Sequence, residues 1–274
     1  MIIREPVAAG RFYPGSASQL DQEIASFLAM PGINAKMQKP WALMLPHAGY
    51  VYCGEIIGKT LANVELPSNL IILCPNHTGR GQALGVWTLG AWRTPLGIVP
   101  VNQHLAAELI ATQTGYQPDQ ISHLGEHSIE VLLPFLQKKV ADLAIVPVCI
   151  GTQNPQILKK AARGLASVIR ADPENIAIIV SSDMNHYENE KITFAKDQLA
   201  LDAILADKPD ELLRTVSANH ISMCGAGPMA LALYAAQYCG NARAELVAHG
   251  TSAKASSDYD HTVGYAGMEV FMDA

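Results

Sequence analysis

Short, uninterrupted apolar runs alternate along this chain with longer stretches in which apolar residues recur every three or four positions. The continuous runs at 41–45, 70–74, 143–150 and 175–181 predict strands buried on both faces. Segments 83–89 and 97–101 predict shorter strands, joined by a turn at Arg93-Thr94-Pro95-Leu96, and 244–248 and 262–271 predict the closing pair. Between them lie helical patterns. Ser16 is placed as an N-cap with Gln19 three residues on, ahead of Leu20, Ile24, Phe27 and Leu28. Helices are expected over 53–64, from Asn102 with Leu105, Leu109 and Ile110 inward, and over 128–140 with a kink at Pro134. Further helices are expected after Asn154, over 192–206 and 210–217, and from near Pro228.

Doubly apolar strands separated by helices imply an α/β fold, with a largely parallel or mixed central sheet covered by helices on both faces. No linker, repeat or charge block divides the 274 residues, so a single domain over 1–274 is expected. A content of 49% hydrophobic and 16% charged residues excludes a disordered chain. Nineteen basic against 25 acidic residues give a net charge of −6, which argues against a nucleic-acid surface. No apolar run is long enough to span a membrane. The opening residues carry Arg4, Glu5 and Arg11 without an apolar core, so no secretion signal and a cytoplasmic location are expected. Five cysteines without a CxxC pair do not form a disulfide framework; Cys74, Cys149 and Cys239 are read as small buried hydrophobes.

In such a sheet, ligands gather outside the carboxyl ends of the strands. Three predicted strands run there into metal-binding residue types: His47 after 41–45, His77 after 70–74, and Asp183 with His186 after 175–181. One histidine after a strand is ordinarily structural, but three beside an aspartate at three carboxyl ends converge on one crevice. Two imidazoles plus one anion can hold a transition metal with open positions. Two anions qualify by position. Asp183 lies three residues before His186, and Cys224 sits in a glycine-rich loop ahead of a helix whose amides would favour the thiolate. Spacing alone does not choose between them.

The motifs Pro46-His47-Ala48-Gly49-Tyr50, Pro75-Asn76-His77, Glu126-His127-Ser128-Ile129-Glu130, Ser181-Ser182-Asp183 with His186, and Cys224-Gly225 together resemble the Memo family, as does the opening from Arg4 to Pro14. That family, also called protein B of the AmmeMemoRadiSam system, is similar in fold to the class III extradiol dioxygenases, which hold iron with two histidines and a glutamate. The resemblance implies His47, His77 and Cys224 as metal ligands, cysteine standing in place of the glutamate. It implies His186 as the acid–base residue and Asp183 as its polar neighbour. It further implies association with AMMECR1-like and radical-SAM proteins and a small-molecule substrate. A thiolate favours copper, zinc or a redox-active iron over a hard cation.

Glu126-His127-Ser128 is expected to start a helix, with His127 either capping it or forming a pocket wall. Tyr50 and Tyr52 are expected to pack near His47, with Tyr50 also a weaker pocket residue, and His261 to sit in a turn. His104, His123, His220 and His249, with Asp142, Asp172 and Lys254, read as structural or solvated. No GxxxxGK[ST], GxGxxG or GxSxG element supports a nucleotide or serine-hydrolase site. Three readings follow: a metal-dependent redox or oxygenase-like enzyme, a non-catalytic metal-binding adaptor, or a zinc-dependent hydrolase.

Overall fold

The computed structural model describes residues 2–32 and 37–273. Ala42–Leu45, Ile176–Ser181, Asn69–Pro75 and Ala144–Ile150 lie side by side in that order, all parallel, and form the middle of the main sheet. Antiparallel strands extend it at both edges. Thr262–Met272 pairs with Ala42–Leu45 and carries Ala242–Thr251 and the short His186–Glu188 on its far side. At the other edge Leu84–Val86 pairs with Ala144–Ile150 and Gln117–Pro118 follows it. The sheet is therefore mixed, with a parallel centre.

The continuous apolar runs make sense against the pleat, because successive side chains point to opposite faces. Leu43, Leu45, Leu70, Ile72 and Ile179 enter a core with the helices Ala17–Leu28, Tyr50–Leu61 and Leu133–Lys139. Their neighbours Met44, Ile71, Leu73, Ile178 and Val180 enter the opposite core, beneath Gln103–Ala111, Pro155–Ala171 and Ala226–Cys239. The helix Ala226–Cys239 is apolar on every side because other helices cover it. No helix among the described residues is long and apolar enough to cross a membrane.

Local chemistry explains most element starts. The Asn102 and Asn154 side chains accept amide hydrogens of their own first turns, at 3.0 Å from Leu105 and 2.9 Å from Gln156. Ser16 holds the N-cap position but makes no side-chain cap bond. Two expectations need correction. Residues 128–132 form turns and the helix begins at Leu133, so Pro134 sits in a first turn, where its missing N–H is harmless, instead of kinking a longer helix. Residues 93 and 94 belong to a strand, Ala91–Thr94, which forms a hairpin with Gly97–Pro100 and lies parallel to Ile3–Arg4 in a separate three-stranded sheet. The turn is only Pro95-Leu96.

His123, read as structural, is fully buried. Its Nε2–H donates to the Gly85 carbonyl at 3.0 Å, which leaves Nδ1 as an unprotonated nitrogen without a partner among the described residues. Burial pushes its pKa down to about 4, and Arg4 adds to the effect. Because the unfolded chain would take up this proton near pH 6.5 and the folded chain only near 4, stability falls as pH drops through that window. Its contribution to that loss is expected to be on the order of 3 kcal/mol. His123→Gln retains a donor for Gly85 but cannot titrate, so denaturant titrations from pH 7 to 4 should show a shallower decline in the variant. Parallel declines would reject this assignment.

Candidate metal centre

All four parallel strands end at the same side of the sheet, and the loops leaving three of them build one cavity of about 930 Å³. His47, His77, His127, Asp183, His186 and Cys224 all line it. His47 follows the first parallel strand and precedes the helix Tyr50–Leu61; the helix starts three residues earlier than its apolar pattern suggested, with Gly49 as N-cap. Cys224 reaches the site from the loop before Ala226–Cys239. That loop comes so close to the strand 176–181 that a Cβ on Gly225 would lie 2.2 Å from the Ser182 Cβ. Glycine is the residue that permits this approach.

Hydrogen bonds fix which nitrogen His47 and His77 each offer. The Ser181 hydroxyl donates to the Ser128 carbonyl at 2.7 Å, so its contact with His47 Nδ1, also 2.7 Å, must be donated by the imidazole. Nδ1 is thus protonated and Nε2 carries the lone pair. His77 Nδ1 faces the Glu126 carboxylate at 2.8 Å and donates to it, again freeing Nε2. Glu126 is fully buried and also accepts from the His77 amide, the Ser128 amide and the Ser128 hydroxyl. One short segment, Glu126 to Ser128, therefore orients both imidazoles, directly for His77 and through Ser181 for His47. Orientation by such outer groups is typical of metal-binding histidines.

Donor atoms of His47, His77 and Cys224 all lie within 4.8 Å of one another. The Cys224 sulfur is 3.5 Å from His47 Nε2, and a nitrogen and a sulfur on one tetrahedral ion would stand about 3.6 Å apart. The donor set thus fits a metal along this edge, with His77 as the third donor of the group. Asp183 holds a different place. Its Oδ1 accepts the His47 amide at 2.8 Å, its Oδ2 lies 4.0 Å from His47 Nε2, and its own amide donates to the Cys224 sulfur at 3.3 Å. Geometry groups the cysteine, not the aspartate, with the two imidazoles.

The electrostatics suit a cation. Burial lowers the His47 pKa, as do His127 and His77, so this imidazole is neutral. At His77 burial pulls downward, but Glu126 more than compensates and the pKa is raised. Glu126 itself is pushed up by burial and pulled further down by its hydrogen bonds from His77 and Ser128, to about 2. Burial raises Asp183 and, with Asp183 beside it, raises the Cys224 thiol well above its ordinary value. The expected thiolate is thus not favoured by the loop amides alone: the Asp183 and Gly225 backbones help, and burial outweighs them. A bound cation would supply the missing stabilisation.

The remaining expected residues divide. His127 lines the cavity, its ring stacked on His77 at 5.0 Å between centroids and edge-on to Phe12 at 4.8 Å. It does not start a helix, because its segment is a turn. Tyr50 also lines the cavity, while its buried hydroxyl donates to the Val131 carbonyl at 2.7 Å. His186 borders the cavity, held by its amide to the Ser222 hydroxyl at 2.7 Å, and its Nδ1 has no hydrogen-bond partner among the described residues. His261 lies in an exposed turn with Asp258. Ser181 and Ser128 are functional residues that the sequence does not single out by chemistry. Both stand inside the motifs that carry the family resemblance, but a serine that orients a histidine looks like any strand-end or turn serine.

Residues 4–269 match the sequence model of the family described as Memo-like protein. A MEMO1 family protein from Thermotoga neapolitana is 39% identical over 96% of this chain and 98% of its own, and one from Thermotoga maritima is 38% identical over 98% and 99%. Among solved structures, an uncharacterized protein from Escherichia coli K12 superposes with a TM-score of 0.52 at 16% identity, covering 81% of this chain and 98% of its own, a likeness of fold alone.

Proposed function

Starting from the fact that this chain belongs to the Memo-like protein family, we propose that it binds a transition metal through His47, His77 and Cys224 and acts as a redox or oxygenase-like enzyme on a small organic substrate. What carries the reading is the convergence of three donors on the floor of a cavity far larger than a metal needs, the two imidazoles oriented by Glu126 and Ser181. Bound there, iron or copper would supply electron transfer, and zinc would supply Lewis acidity alone. The protein's own residues do the rest. His47 and His77 offer Nε2 lone pairs, and Cys224 becomes anionic only against a cation. His186 borders the same cavity and would take or give a proton at the substrate. Asp183 fixes the His47 backbone and the Cys224 loop together.

A zinc-dependent hydrolase is the second reading, favoured by the nitrogen–sulfur spacing of a tetrahedral site. Metal analysis of protein prepared without chelator or added metal separates the two. About one equivalent of iron or copper per chain is expected, falling at least tenfold in His47→Ala and His77→Ala while both variants keep their circular dichroism. Zinc alone, with hydrolysis of an ester or amide, would support the second reading. Unchanged metal content in both folded variants would reject both.

A further inference from the structure

The lip of the cavity carries a residue whose conformation nothing in its own packing rewards. Tyr187 follows His186 and has a φ of +62°, in the left-handed region that a bulky side chain avoids. The residue is 76% exposed. The pairing of His186–Glu188 with Thr262–Met272 is irregular at this residue: His186 stands opposite Val263 and Glu188 opposite Thr262. Such a bulge re-aims the side chain it displaces and recurs beside functional sites. The neighbours are firmly held. The His186 amide donates to Ser222, the Glu188 carboxylate accepts from Asn185 at 2.7 Å and pairs with Lys196 at 2.7 Å, and Thr262 donates to the Glu188 carbonyl at 3.0 Å. The strain at Tyr187 is thus imposed from both sides, and it turns the ring out beside His186, 5.7 Å away, at the mouth of the cavity.

A second observation gives the mouth a charge. Arg11 is exposed, lines the same cavity, and is the only lysine or arginine that does so among the described residues. It makes no ion pair and no side-chain hydrogen bond among the described residues. Two acidic residues line the cavity, Glu23 and Asp183, and Asp183 is already committed to the His47 amide. A guanidinium without a carboxylate partner, lining a cavity that Phe12, Tyr52 and Tyr187 also line, suits a ligand with an apolar body and an anionic end.

We propose that Tyr187 and Arg11 form the entrance contact for the cavity's ligand and select an organic anion, whose charge meets Arg11 at the mouth while its body passes Tyr187 toward His186. This names the substrate class of the function proposed above and rests on that reading only for what happens at the floor. The test therefore uses metal-free protein, so its failure is separate from failure of the metal assignment.

The probes are anilinonaphthalene sulfonate and N-phenylnaphthylamine, the same ring system with and without an anionic group, titrated by fluorescence. Arg11→Gln should weaken sulfonate binding about 5- to 10-fold, as expected for loss of one charge-assisted contact, and leave the neutral probe within twofold. Tyr187→Ala and Tyr187→Gly should each weaken both probes. Glycine relieves the left-handed strain and alanine does not, so Tyr187→Gly should melt about 2–4 °C above Tyr187→Ala. An unchanged preference for the sulfonate in Arg11→Gln would overturn the charge selection. Unchanged affinity of both probes in both Tyr187 variants would overturn the contact.

Discussion

Cys224→Ser is expected to lose at least about 100-fold in affinity for copper or zinc, whereas Asp183→Asn should lose clearly less. Serine keeps the size of the side chain but removes the soft donor, and its hydroxyl remains protonated at neutral pH where a metal would claim a thiolate. Asp183 acts one step away, through the His47 amide and the Cys224 loop, and losing such an outer partner typically costs roughly 10- to 100-fold in affinity or activity. The measurement is competition with a chromophoric chelator, read together with the thiolate-to-metal absorption of a cobalt- or copper-loaded sample. That band should vanish in Cys224→Ser and persist in Asp183→Asn. Cys224→Glu would rebuild two imidazoles and a carboxylate and should shift preference toward Fe(II). Affinity that follows Asp183 and ignores Cys224 would mean that the carboxylate is the third ligand and the cysteine an ordinary buried thiol.

The fold was legible where the pattern was dense. Strands 70–74, 143–150 and 175–181 were placed to within a residue of their observed bounds, because apolar residues on consecutive positions fit only a sheet covered on both faces. The short elements were not. Ala91–Thr94 contains Arg93, whose exposed guanidinium pairs with Glu5, and a polar residue before proline reads as a turn until its cross-strand partners are known. At the site, His47, His77, Asp183 and His186 stood out because each lies beyond the end of an apolar run, and the parallel order of the strands then brings them together. What spacing left open was whether Asp183 or Cys224 joins the two imidazoles. Cys224 comes from 41 residues after Asp183, so only the packing of the Gly225 loop on Ser182 brings its sulfur to His47. Glu126 was legible as a motif residue, but its buried carboxylate, filled by His77 and Ser128, is a tertiary fact.

The largest stability effect is expected away from the metal donors, at Glu130. This carboxylate is fully buried, pairs with Arg4 at 2.7 Å, and accepts from the Val7 and Ala8 amides and the Tyr13 hydroxyl. Arg4 in turn lies over the Trp92 ring at 4.2 Å and donates to the carbonyls of His123 and Glu126. The pair therefore ties the first residues of the chain to the segment that orients His47 and His77. Those first residues also carry Phe12, whose carbonyl accepts the Tyr50 amide at the start of the helix after His47. Removing one charge strands the other in a dry environment, which typically costs about 3–5 kcal/mol. Glu130→Gln should accordingly lower the melting temperature by roughly 10 °C in a chain of this size. Arg4→Met combined with Glu130→Gln should recover part of the loss, because no buried charge is then left alone. The exposed pair Arg93–Glu5 is the internal control, and Glu5→Gln should cost under about 1 kcal/mol, since solvent already screens that attraction. Equal melting shifts for Glu5→Gln and Glu130→Gln would mean that the buried pair does not anchor the N-terminal segment, and that the cavity wall it forms is held by packing around Tyr13 and Phe12 alone.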